Sequence, residues 1–423
     1  MRSFLGDSFR MIEVQKQALL SIVIPTKNRQ KYALAAVESV LRLDVSDCEI
    51  ELIIRDCSDD ESLRELLNNK FCGDRKYNYI YDPSKPSMTE NWDLAFSQAS
   101  GVYVCGIGDD DAVLRNICDV VKYMIKNNID CMRQPMVSYF WPGAYLDFHS
   151  SEKVLIPKSM KGQVSLVDIE KCFETKLTSC GFGYTHEMPN VYHAIIKRCI
   201  LSEHKAASGR IFNGTSLDAY SSFAFAKYTK TLAVVDFPFS VHGACRTSNT
   251  NRIVQKDKSV YKLHFDEFTD MKMPDFLPKL LTSEVSIAES TVAALKDTGR
   301  ESYVDRMNLA YVYGKSAALY PLMIVSLYSD YRKFQRPDTF TFGFFSAFRY
   351  FFLQRIKGSL ISSGISLIFK YIPSLLDPLL KRVGSSNRVH CASIKEACLE
   401  IEQTLPSSIL DENKSMERVE TLT

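Results

Sequence analysis

Between Leu19 and Ile107 the chain alternates short apolar runs with segments of helical spacing, and that alternation restricts the folds open to it. Leu19-Leu20-Ser21-Ile22-Val23-Ile24-Pro25 reads as a buried strand that Pro25 stops. Leu34, Val37, Val40 and Leu41 then share one face of a helix between Tyr32 and Leu43. Ile50 to Ile54 predicts a second strand ending at Asp56, Asp59 to Leu67 a helix, and Tyr77 to Tyr81 a third strand. Met88 to Ala99, with Trp92, Leu94 and Phe96, predicts a helix, and Val102 to Ile107 a fourth strand. A strand that returns through a helical crossover runs parallel to its predecessor. The expected fold class is α/β, a mostly parallel sheet with helices on its faces.

Three of these strands end in polar clusters: Pro25-Thr26-Lys27-Asn28-Arg29, Arg55-Asp56-Cys57-Ser58-Asp59-Asp60, and Gly108-Asp109-Asp110-Asp111. In a parallel sheet they meet along the carboxyl edge, where open α/β folds bind ligands. Three adjacent carboxylates repel one another, so an ordered site there calls for a cation. All-oxygen donors suit Mg²⁺ or Mn²⁺, which in turn hold phosphate oxygens. Taken alone, the triplet is equally a solvated loop capping the helix expected from Ala112 to Asn127. Asp56 and Arg29, each an ordinary loop charge in isolation, add an acceptor for base or ribose and a cation for phosphate. Together the clusters suit a nucleoside diphosphate.

With 423 residues, 46% of them hydrophobic and 24% charged, the chain can bury one large or two smaller cores. A net charge of +2 argues against nucleic acid as a partner. Twelve cysteines without a CxxC pair point to reduced thiols and away from zinc. No signal peptide opens the chain, and no apolar run reaches the roughly 18 residues of a spanning helix. The expected location is cytoplasmic.

The first 115 or so residues resemble the inverting family-2 glycosyltransferases of the GT-A fold, of the bacterial cell-surface polysaccharide type. The matching residues are Ser21 to Arg29, Asp56 with its acidic loop, Asn91-Trp92, and Gly101-Val102-Tyr103-Val104 leading to Gly108-Asp109-Asp110-Asp111, which stands where the family has its DXD motif. The resemblance implies that Pro25, Thr26, Asn28 and Arg29 line a nucleotide-sugar pocket with Asn91. It implies that Asp56 contacts the base, that Asp109 and Asp110 approach ribose and diphosphate, and that Asp111, with Asp109, holds Mn²⁺ or Mg²⁺. Many relatives have Arg before the helix Asn, whereas Glu90 precedes Asn91 here, so a donor-phosphate contact is missing or comes from elsewhere.

Family members use a carboxylate at the start of a later helix as general base and often a His near the domain's end as a further metal ligand. Asp218, in Asn213-Gly214-Thr215-Ser216-Leu217-Asp218, fits the first, and His242, in Ser240-Val241-His242-Gly243-Ala244, fits the second. Plain helix capping for Asp218 and a hydrogen-bonded structural role for His242 are the competing readings. Glu187 and His193 resemble an acceptor-side segment. The implied reaction is metal-dependent inverting transfer of a sugar from a nucleoside-diphosphate sugar to a hydroxyl of a glycan or polyprenyl-linked acceptor.

From Lys256 the pattern reads as helical nearly to the end, with a frayed tail from about Thr404. Between Tyr331 and Arg388 basic residues such as Arg332, Lys333, Arg349 and Lys370 interleave with Phe344, Phe345, Phe348, Ile365 and Leu376. That mixture suits the surface of an anionic bilayer, here the inner face of the plasma membrane, and equally a helical bundle packed on the catalytic domain. The expected organisation is an extension over 1–18, a GT-A domain over 19–255 (nucleotide half 19–115, acceptor half 116–255), a helical basic region over 256–403 and a tail over 404–423. A sugar-nucleotide nucleotidyltransferase is a second enzyme class, though its Gly-rich loop after the first strand is absent. A catalytically inactive scaffold at the membrane is a third possibility.

Overall fold

The computed structural model describes residues 18–44, 46, 48–71, 77–144, 152–183, 187–248, 273–280, 282–334, 343–362, 386–406 and 417–419. Residues 1–17 of the expected N-terminal extension, the stretch 249–272 and, from the apolar run expected over 356–380, residues 363–380 lie outside the described residues.

Strands β1 (Leu20–Thr26), β2 (Ile50–Asp56), β3 (Asn78–Tyr81) and β4 (Tyr103–Gly106) alternate with helices α1 (Gln30–Leu41), α2 (Ser62–Lys70) and α3 (Met88–Phe96), as the spacing predicts. All four strands are parallel, in the order β3-β2-β1-β4. Thr26 pairs with Asp56, and Val23 with Gly106, so the polar clusters emerge at one edge. The period of two divides β1 between the faces. Leu20, Ile22 and Ile24 pack with α1 and α2 and their surroundings, and Val23 packs on the opposite side with Phe96 of α3.

The chain then departs from the simple alternation. Ala112 does not start a helix. Ala112–Val113 is a two-residue strand β5, and helix α4 begins later, at Ile117–Lys126. Short strands β6 (Cys131–Arg133), β7 (Ser138–Phe140), β8 (Lys153–Pro157) and β9 (Val164–Val167) precede helix α5 (Ile169–Thr178). Strand β10 (Ala194–Lys197) inserts antiparallel between β4 and β6. Helices α6 (Arg198–Ser208) and α7 (Leu217–Phe225) follow, then β11 (Leu232–Val235) and β12 (Ser240–Ala244). β12 leaves the main sheet and pairs with β5 and β7 in a second, five-stranded sheet.

The C-terminal part is mostly helical: α8 (Ser283–Asp297), α9 (Leu309–Leu319), α10 (Ile324–Phe334), α11 (Phe344–Ser362) and α12 (Ile394–Thr404). Two strands depart from the expected helical run and frayed tail. β13 (Ser386–His390) pairs antiparallel with β8, and β14 (Glu417–Val419) pairs parallel with β9 at the edge of the main sheet. Each satisfies an edge that a short neighbouring strand leaves open. On α11, Phe344 and Ala347 are buried, and Phe344 lies 5.2 Å and 5.6 Å, ring to ring, from Tyr328 and Tyr331. The inner side of the aromatic run therefore packs on the protein, whereas Phe345, Tyr350 and Leu353 are exposed. Among the described residues no helix is long and apolar enough to cross a membrane.

Candidate active site

A cavity of about 780 Å³ opens at the carboxyl edge of β1 and β4. Pro25, Thr26, Lys27, Asn28 and Arg29 border it from β1, Met88, Asn91 and Trp92 from α3, and Asp109 and Asp110 from the turn after β4. The far wall is Tyr192, Thr215 to Asp218, and His242 to Ser248 without Ala244 and Cys245. Two parts of the chain far apart in sequence, Pro25 to Asp110 and Tyr192 to Ser248, thus face each other across it.

The three aspartates are not equivalent. Arg29 bridges the first two, with Nη1 2.5 Å from Asp109 and Nη2 2.8 Å from Asp110. Asp109 also accepts from the Thr26 hydroxyl at 2.7 Å. Burial, opposed by Arg29 and reinforced by Asp110, pushes the Asp109 carboxyl up to about 7. Burial raises Asp110 as well, again against Arg29. For Arg29 the burial cost is outweighed by its two carboxylates, which hold it charged.

Asp111 points the other way. It is fully buried and does not border the cavity. Its oxygens accept from the Gly108 amide at 2.5 Å and the Gly243 amide at 2.7 Å, and His193 Nε2 stands 3.1 Å away. Burial would raise its pKa, but His193, His242 and the Gly243 amide hold it well below the usual carboxylate range. The expected metal ligand Asp111 is thus held by protein donors in this structure. It is the anchor of the acidic turn. Gly243 is obligatory there, because a Cβ would overlap the Asp110 carbonyl oxygen. Trp141 donates its indole N–H to that same carbonyl at 2.9 Å.

His193, expected on the acceptor side, is instead buried behind Asp111. Its Nδ1 lies 2.8 Å from the Ser240 hydroxyl, whose oxygen accepts from Gln134 Nε2 at 2.7 Å. Gln134, Ser240 and His193 are thus linked by buried hydrogen bonds behind the turn, with His193 Nε2 beside the Asp111 carboxylate. Its neighbour Tyr192 borders the cavity, and burial together with Asp111 and Asp110 keeps its phenol protonated. Glu187 does not border the cavity and lies 3.3 Å from Lys176.

Asp56 is also fully buried. It accepts from the Tyr79 hydroxyl at 2.8 Å and the Ser58 amide at 2.9 Å, and Cys57 rather than Asp56 borders the cavity. Asn91 borders it with its Oδ1 buried and without a hydrogen-bond partner among the described residues. Asp218, in the first turn of α7, accepts from Ser216 Oγ at 2.7 Å and from the Ala219 amide at 3.0 Å.

Asp110 and His242 are the cavity residues that could hold a divalent cation. Both border the cavity, and His242 Nδ1 is buried without a hydrogen-bond partner among the described residues. Among those residues no group of three His, Cys, Asp or Glu side chains is arranged around one point. Two protein ligands suffice for a cation shared with substrate phosphates. Lys27 and Arg246 border the same cavity and were not singled out by their sequence context. Nothing local marks Arg246, which becomes a cavity residue only because β12 crosses to the second sheet.

Residues 21–176 match the family model "Glycosyl transferase family 2". Over 99 residues the chain is 35% identical to WcaA of Escherichia coli (strain K12), named a glycosyl transferase of colanic acid biosynthesis, covering 23% of this chain and 34% of that protein. Over 96 residues it is 29% identical to the GalNAc(5)-diNAcBac-PP-undecaprenol beta-1,3-glucosyltransferase of Campylobacter jejuni subsp. jejuni serotype O:2, covering 22% and 30%. The chain spans about a third of the length of these relatives. Among solved structures, TarS 1–349 of S. aureus in complex with UDP-GlcNAc aligns with a TM-score of 0.42 at 14% identity, over 80% of this chain and 92% of that one.

Proposed function

We propose that this chain, whose residues 21–176 match the model of family-2 glycosyl transferases, is a GT-A enzyme that transfers a sugar from a nucleoside-diphosphate sugar to a glycan hydroxyl in cell-surface polysaccharide synthesis. The observation that carries the reading is the cavity itself. It joins the Asp109–Asp110 edge and Arg29 on one wall to Asp218 and His242 on the other. The catalytic unit is read as 19–255.

In this reading Thr26, Asn28, Arg29 and Asn91 hold the nucleotide end of the donor. Asp109, locked to Thr26 and Arg29, fixes the floor of the pocket. Lys27 and Arg246 supply the phosphate cations that Glu90 cannot. Asp110 and His242 would hold Mn²⁺ or Mg²⁺, which supplies charge neutralisation for the departing diphosphate. Asp218 accepts the proton of the acceptor hydroxyl as its oxygen bonds to the anomeric carbon and the bond to the diphosphate breaks. A single displacement inverts the anomeric centre. The lipid-linked class of acceptor is supported by the name of the Campylobacter relative alone.

Incubating the protein with a panel of UDP-, GDP- and dTDP-sugars, with Mn²⁺ or with chelator, tests this. Metal-dependent release of nucleoside diphosphate from one donor is expected. Pyrophosphate release from a nucleoside triphosphate and a sugar phosphate would instead identify a nucleotidyltransferase, and no turnover of any donor would favour a scaffold.

A further inference from the structure

The loop that carries Asp218 into the cavity is not held by the sheet. It is held by α8, a helix beyond both the family match and the unit 19–255. Glu289 of α8 is buried, and one of its oxygens, Oε2, accepts from the Thr215 amide at 2.8 Å, the Thr215 hydroxyl at 2.9 Å and the Ser290 hydroxyl at 3.0 Å. Ser290 Oγ in turn accepts from the Ser216 amide at 2.8 Å. Ser216 then donates to Asp218 Oδ1 at 2.7 Å. Hydrogen bonds thus lead from Glu289 through Ser290 to the Ser216 backbone, and from the Ser216 hydroxyl to the Asp218 carboxylate.

Further contacts show that this approach is built rather than incidental. Gly214, at φ +77, lies so close to α8 that a Cβ would come within 2.6 Å of Ser290 Oγ. On the other side Thr89 of α3 donates to the Gly214 carbonyl at 2.7 Å, tying the loop to the helix that presents Asn91. At the far end of α8, Asp297 accepts from Asn213 Nδ2 at 2.9 Å and from the Tyr220 hydroxyl at 2.7 Å. The helix thus grips both flanks of the loop.

We propose that Glu289 is a positioning residue for the reaction: it fixes the Thr215–Ser216 turn, and through it the direction in which Asp218 faces the acceptor hydroxyl. This rests on the reading of Asp218 as the base. A carboxylate displaced by about 1 Å loses up to roughly a hundredfold in rate, while the contacts of Thr26, Arg29 and Asp109 on the opposite wall do not involve Glu289. A Gln side chain can offer one amide oxygen to the same three donors, so Glu289→Gln restores the turn, whereas Glu289→Ala cannot.

The test measures kcat and KM for nucleoside diphosphate release from the donor that the panel selects, with water as the acceptor. Glu289→Ala is expected to lower kcat roughly 10- to 100-fold with donor KM within about twofold, and Glu289→Gln to return kcat to within a fewfold of wild type. Ser290→Ala, a milder change in case Glu289→Ala does not fold, is expected to lower kcat several-fold in the same direction. In an Asp218→Asn background Glu289→Ala is expected to add nothing further. Wild-type kcat in a folded Glu289→Ala, or equal losses in the Asp218→Asn and wild-type backgrounds, would overturn the proposal while leaving Asp218 in place. Wild-type turnover by Asp218→Asn alone would remove the base assignment, and the positioning role with it.

Discussion

At the scale of single residues, three adjacent aspartates have divided into separate tasks. Asp109 and Asp110 face the cavity with Arg29 between them, and Asp111 faces inward to Gly108, Gly243 and His193. This division was not legible in the sequence. The triplet itself was, and so was its place at a strand end. Which carboxylate turns inward is decided by a backbone amide on β12, far along the chain, and no local spacing encodes that. The same is true of the two histidines, which differ only in whether the fold puts them behind the turn or beside the cavity. The division has measurable consequences. Asp111→Asn turns an amide donor toward at least one buried N–H, and is expected to destabilise the fold by roughly 2 kcal/mol, read as a lower urea midpoint. Asp110→Asn is expected to leave that midpoint close to wild type and abolish metal-stimulated donor turnover. The opposite pattern would support Asp111 as the metal ligand. Gly243→Ala, which forces a Cβ into the Asp110 carbonyl, is expected to cost roughly 2–3 kcal/mol in the same assay.

At the scale of elements, β1 to β4 and their helices were legible because each strand is a short buried run with a polar stop and each helix carries a 3.6-residue stripe. β13 and β14 were not. Ser386–His390 is polar, and its pairing is set by the open edge of β8 rather than by its own composition. The α6–α7 contact offers a test of the buried polar framework. His204 is fully buried, with Nε2 2.8 Å from the Tyr220 hydroxyl. Burial, only partly offset by Asp297, lowers its pKa to about 4. An unfolded histidine titrates near 6.5, so between roughly pH 6.5 and 4 the unfolded chain binds a proton that the folded chain refuses. Stability should therefore fall as pH falls through that window, by up to about 3 kcal/mol, and level off below it. Urea unfolding at pH 7 and pH 4.5 checks this. His204→Gln should show a smaller difference between the two pH values than wild type, and an unchanged difference would show that this group is not the source.

At the scale of the whole molecule, the C-terminal region does two things that its composition did not separate. Its inner side completes the core and, through α8, reaches the loop of the proposed base. Its outer side leaves Leu322, Val325, Phe345 and Tyr350 exposed on the same segments as exposed Arg332, Lys333 and Arg349. Apolar and basic groups together suit an anionic bilayer surface. Full-length protein is expected to sediment with vesicles containing phosphatidylserine and to lose most of that binding in 0.5 M salt, taken here as about ten times a low-salt buffer, or in a Val325→Asp, Phe345→Asp variant. Equal sedimentation of wild type and variant would argue that this surface meets protein instead.

The central claim is that the cavity between the aspartate turn and α7 holds a nucleoside diphosphate together with a divalent cation. Calorimetric titration of wild type and Asp110→Asn with UDP and with GDP, with and without Mn²⁺, addresses it most directly. At least one nucleotide should bind wild type, with affinity strengthened by about tenfold or more on adding Mn²⁺ (roughly 1.4 kcal/mol), and Asp110→Asn should lose that strengthening while remaining folded. Absence of binding by either nucleotide, or binding indifferent both to Mn²⁺ and to the loss of Asp110, would contradict it.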